Sequence, residues 1–136
     1  MRVVVDTNVF VSSFFGGNPR KIIDLWKTGA VTLCLSKDIL EEYVEVLGRM
    51  GLEKEAELKE LLDLLALAPN VLFTSKAPDV HAVAADPDDD KFIACALALK
   101  AEVIVTGDKA LKAIGSYGGI IILTPARFLE ESAAKT

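Results

Sequence analysis

The chain has 136 residues, a length that suits one domain with a substantial core. Its hydrophobic content of 51% excludes disorder, and no apolar run approaches the roughly 20 residues of a membrane span. The net charge of -5 argues against gripping nucleic acid through a large basic field, but leaves room for clustered carboxylates neutralised by metal ions.

Val3-Val4-Val5 is an unbroken β-branched run that stops at Asp6. Such a run predicts a strand buried on both faces, as in parallel sheets. Ligands bind outside the carboxyl ends of such strands, where Asp6 falls. The terminus lacks an apolar segment with a small-residue cleavage site, so no signal peptide is expected and the expected location is cytoplasmic. Val9 to Phe15 is apolar and ends at Gly16-Gly17-Asn18-Pro19. Asn18 reads as a helix cap with Pro19 at the first helical position. That helix runs to about Lys27, with Ile22, Ile23, Leu25 and Trp26 at helical spacing.

Val31 to Leu35 predicts a second buried strand, and Ser36 caps a second helix. Its apolar stripe is Ile39, Leu40, Tyr43, Val44 and Leu47. Gly48 to Gly51 breaks it, and a third, leucine-rich helix runs from about Glu53 to Ala68, forming a hairpin with the second. Val71-Leu72-Phe73 is a short strand, and the loop from Thr74 to Val83 holds the single histidine, His81, which reads as a surface or packing residue. Asp86-Pro87-Asp88-Asp89-Asp90 opens a helix through Lys100. Val103-Ile104-Val105 is a strand, Thr106-Gly107-Asp108 a turn, and Lys109 to Ile114 a short helix. Ile120 to Leu123 is the last strand, and Thr124-Pro125 starts a closing helix that frays into Ser132 to Thr136. The alternation predicts a single α/β domain over residues 1–136 with a largely parallel sheet and helices on both faces. Cys34 and Cys95 lie in apolar contexts and read as buried, reduced thiols.

Helix phase sorts the carboxylates. At about 100° per residue, Glu41 and Glu45 fall opposite the apolar stripe of their helix, while Glu42 falls at its edge. In the later helix, Asp89 shares the phase of Phe92, Ile93, Ala96 and Leu99 and points inward; Asp88 and Asp90 lie on its flanks. A carboxylate aimed inward is costly unless it is paired or binds metal. Asp86 ranks second in this turn, and Asp108 follows a strand end while also able to cap the next helix. A doubly wound sheet brings Asp6, Glu42, Asp89 and Asp108 to one edge, an oxygen-only set that suits Mg²⁺ or Mn²⁺. Such a site suits phosphodiester hydrolysis.

With these motifs the chain resembles PIN-domain ribonucleases. The matching stretches are residues 3–10 (VVVDTNVF), 36–47 (SKDILEEYVEVL), 86–96 (DPDDDKFIACA) and 103–111 (VIVTGDKAL). It is most similar to the toxin-like, VapC-like branch of type II toxin–antitoxin pairs. The resemblance implies a three-layer α/β/α fold with about five mainly parallel strands and a metal-dependent endoribonuclease. It carries Asp6, Glu42, Asp89 and Asp108 over as metal-binding catalytic carboxylates. Asn8 and Thr106 match polar positions that orient these carboxylates or a water, and Asp86 is a further ligand or a support. Phase and family pattern both select Asp89 over Asp90. Lys37, Lys91, Lys109 and Arg20 are candidate phosphate contacts. The family also implies a homodimer, with the Glu53–Ala68 helix as one candidate interface, and a small antitoxin partner. Two other readings stay open: a phospho-acceptor receiver domain, and a PIN fold that has lost catalysis and only docks a partner.

Overall fold

Val3, Val4 and Val5 are at most 1% exposed, because β-branched side chains fill a pleated surface covered on both faces. In the computed structural model, which describes residues 1–52 and 56–134, they form the central strand β1 (Arg2–Val5). It is flanked by β2 (Thr32–Ser36) and, beyond that, β3 (Val71–Thr74). On its other side lie β4 (Val103–Val105), β6 (Ile120–Leu123) and β5 (Ser116–Tyr117). The six-stranded sheet has the order β3-β2-β1-β4-β6-β5. Every pairing is parallel except β5 on β6. The domain is thus α/β with a mainly parallel sheet flanked by helices, as the alternation of elements predicts. The sixth strand escapes sequence reading because two residues show no periodicity. Its signal is Gly118-Gly119, both at positive φ (55° and 87°), which suits a two-residue hairpin turn. The order also removes the receiver reading, since receiver domains follow 2-1-3-4-5.

The helices depart from expectation at several points, among them the closing helix, which continues through Ala134 rather than fraying from Ser132. The apolar segment after Asp6 is helical at once, as α1 (Thr7–Ser12) followed by a 3₁₀ turn at Ser13–Phe15. In α2 (Gly17–Lys27), the cap position falls on Gly16 rather than Asn18. Gly16 and Gly17 both have positive φ (95° and 70°), a turn that glycine makes without strain. In α3 (Lys37–Arg49), Ile39, Tyr43 and Leu47 are buried, but Val44 is 51% exposed, so the buried stripe is narrower than predicted. Its cap is as expected: Ser36 Oγ accepts from the Ile39 amide at 3.2 Å.

The leucine-rich helix is α4 (Ala56–Leu67); the expected start at Glu53 lies outside the described residues. Leu58 and Leu61 are buried against the chain's own core, while Leu67 is exposed. After a 3₁₀ turn at Pro87–Asp89 come α5 (Asp90–Leu99), α6 (Lys109–Ile114) and α7 (Pro125–Ala134). Helix α5 lies across β1 to β4 and buries Phe92, Ile93 and Cys95. Cys34 and Cys95 are free and buried; burial pushes their thiols up to about 11 and about 12. No helix among the described residues is long and apolar enough to cross a membrane.

Candidate metal centre

The pairing of β1 with β4 places the first part of the site. Val5 lies opposite Val105, and the Asp6 amide donates to the Val105 carbonyl at 3.0 Å. Asp6 therefore sits beside Thr106 at the carboxyl edge, and both are buried. Thr106 Oγ1 donates to Asp6 Oδ2 at 2.5 Å and accepts from the Asp108 amide at 3.0 Å. One hydroxyl so fixes the carboxylate of one strand end and the backbone of the next turn. The Asn8 amide lies close enough to favour ionised Asp6 without closing a full capping bond. Burial is nonetheless the largest influence and raises the Asp6 carboxyl above the usual range; Asp108 and Glu42 add to this.

The acidic turn supplies the second part. Asp86 Oδ1 accepts from the Asp88 amide at 3.3 Å, and the 3₁₀ turn ends on Asp89, a half-buried residue with one carboxylate oxygen buried. Asp108 caps α6, its Oδ2 accepting from the Leu111 amide at 3.1 Å, which leaves its other oxygen available. One carboxylate oxygen from each of Asp86, Asp89 and Asp108 lies within 4.8 Å of the other two. Burial first, and then Asp108, Asp86 and Asp6, push the Asp89 carboxyl up to about 8. Asp89 Oδ2 is buried and receives no hydrogen bond from a donor among the described residues. Asp90 points elsewhere: its Oδ1 accepts from the Ala82 and Val83 amides at 3.0 and 2.7 Å, pinning the preceding loop.

Glu42 forms the third part. It is half-buried at the edge of α3, where helix phase puts it, whereas Glu41 and Glu45 are exposed. It is not among the three converging carboxylates; Lys91 Nζ contacts its Oε2 and lies 3.5 Å from Asp88 Oδ1. Burial opposes the Lys91 charge, but Glu42 and Asp88 outweigh it and hold Lys91 above the usual lysine range. Asn8 is exposed and lines a groove of about 500 Å³ with Glu42, Glu45, Arg49, Asp88 and Lys91.

The Glu42–Lys91 pair is the feature that sequence reasoning missed, because it joins residues 49 apart on different helices. Of the other candidate phosphate contacts, Lys37 pairs with Glu41 at 3.8 Å, Lys109 is exposed, and Arg20 donates to the Ser13 and Phe14 carbonyls. His81 is exposed, with its Nε2 3.5 Å from Asp79 Oδ2.

The three converging aspartates fit a hard cation. Oxygen ligands of Mg²⁺ lie at roughly 2.0–2.1 Å from the ion, so pairs of them lie about 3 to 4.2 Å apart. A limit of 4.8 Å is close to that span. Among the described residues, the buried Asp89 oxygen lacks the donor that such a group ordinarily finds. Carboxylates so close repel one another unless a proton or a cation lies between them.

A family model described as PIN domain matches residues 2–110. An uncharacterized protein of Methanocaldococcus jannaschii is 31% identical over 150 aligned positions, covering 96% of this chain and 91% of that protein.

Proposed function

The chain belongs to the PIN domain family, whose members are generally nucleases, and from that premise we propose that it is a metal-dependent endoribonuclease. The observation that carries this reading is the convergence of Asp86, Asp89 and Asp108, with a buried Asp89 oxygen left without a donor. A Mg²⁺ or Mn²⁺ ion bound there supplies charge neutralisation at a phosphate and activation of a water.

The residues divide the remaining tasks. Asp89, Asp108 and Asp86 would hold the ion, and Asp6, just after the end of β1, is coupled by charge to Asp89 and Asp108. Thr106 holds Asp6 in place and fixes the Asp108 backbone. Glu42 stands outside the three converging carboxylates, acts on Asp6 by charge alone, and keeps Lys91 at the site. Asn8 at the groove orients a water or a substrate oxygen. Protonation of Asp89 competes with metal, so cation binding strengthens as pH rises toward 8.

RNA as the substrate, the toxin role, the homodimer and the small antitoxin partner rest on the resemblance of the four motifs to toxin-like PIN proteins. The test is cleavage of a mixed RNA pool with Mn²⁺ or with a chelator, comparing wild type with Asp6→Asn. Internal cuts that need Mn²⁺ and disappear in Asp6→Asn are expected. An Asp6→Asn protein that cuts at the wild-type rate would refute the assignment. A wild type that binds no Mn²⁺ and cuts nothing would identify a PIN fold that only docks a partner.

A further inference from the structure

We propose, building on the metal-dependent reading above, that Lys91 fills the second cation position of the site, so the chain binds one divalent ion rather than two. Apart from Asp6, which Thr106 holds, the carboxylates fall into two groups. Asp86, Asp89 and Asp108 converge within 4.8 Å and have no lysine or arginine ion-pair partner among the described residues. Glu42 lies outside that group and is engaged by the Lys91 ammonium.

The Glu42–Lys91 pair differs from the surface ion pairs of this chain. The two side chains are 22% and 17% exposed, whereas Lys37–Glu41 and Arg49–Glu45 are each more than 60% exposed. Ions this shielded from water must be paired, and the pair must stay formed. Lys91 lies two residues after Asp89, so the turn that aims the Asp89 carboxylate also anchors the ammonium stem. The same ammonium reaches Asp88 at 3.5 Å. Its single charge thus offsets Glu42, with the exposed Asp88 at the rim, where a second metal ion would otherwise be drawn.

In two-metal nucleases, one ion organises the attacking water and the other neutralises charge at the leaving side. An ammonium can supply the charge and hydrogen bonds of the second ion, but not its Lewis acidity. Lys91 lines both the groove along α3 and the cleft between Ser36, Pro78 and Pro87. A substrate phosphate in either channel meets it.

Mn²⁺ stoichiometry, measured by calorimetry and by electron paramagnetic resonance of free ion, tests this directly. Wild type should bind one Mn²⁺ per chain. Lys91→Met should bind two, and Glu42→Gln/Lys91→Met, which removes both charges of the pair, should return to one. If Lys91→Met does not fold, Glu42→Gln carries the test: its single Mn²⁺ should bind within threefold of wild type, because Glu42 is not a ligand of that ion. Two ions in wild type, one in Lys91→Met, or a tenfold loss in Glu42→Gln overturns the inference while leaving the metal-dependent reading intact. A wild type that binds no Mn²⁺ overturns both.

Discussion

Replacing Asp89 with Asn removes a carboxylate that the metal-free fold ionises only at a cost. Its carboxyl is pushed up to about 8, from an ordinary 3.8, by burial first and then by Asp108, Asp86 and Asp6. The native state therefore holds this proton more tightly than the unfolded chain does. Stability from this group is fully present below about pH 4 and is lost as pH rises toward 8. At about 1.36 kcal/mol per unit, an upper bound is on the order of 6 kcal/mol. Asp89 is only partly shielded from solvent, and its neighbours share the effect, so about 1–2 kcal/mol is the expected size. For a domain of this length that is a rise in Tm of roughly 3–8 °C. The assay is thermal unfolding in chelator at pH 5 and pH 8.5 for wild type and Asp89→Asn. The variant should be the more stable at pH 8.5, and the gap should shrink at pH 5. A gap of equal size at both pH values, or a variant less stable at pH 8.5, would refute the electrostatic account of the site.

Thr106→Val keeps the shape but removes the hydroxyl that serves both Asp6 and the Asp108 amide. It should cost about 1–3 kcal/mol in urea unfolding and shift half-saturation by Mn²⁺ to higher pH, because the proton then competes better for Asp6. Asp90→Ala should cost a similar 1–3 kcal/mol, since the Ala82 and Val83 amides lose their acceptor; hydrogen exchange at these two amides should rise. Ser36→Ala should cost about 1 kcal/mol through the lost cap of α3. Lys100 ends α5 at φ 56°, a conformation that suits glycine. Lys100→Gly should therefore raise stability by about 0.5 kcal/mol, and an unchanged or lower unfolding midpoint would count against that strain.

Sequence alone determined what depends on local pattern. Val3-Val4-Val5 and Val103-Ile104-Val105 read as buried strands because β-branched runs have few other stable uses. Ser36 read as a cap, and Glu42 as a half-buried edge residue, because both follow from helical geometry. Phase also separated Asp89 from Asp90, which the fold then directed to different neighbours, one to Asp86 and Asp108 and the other to the Ala82–Val83 loop. Tertiary structure alone decided what depends on distance between elements. The register of Val5 against Val105 set the Thr106 bridge to Asp6, which no local spacing encodes. The helix crossing decided that Glu42 meets Lys91 rather than the three aspartates. Periodicity reports which side of an element faces the core; it does not report which charge waits on the neighbouring element.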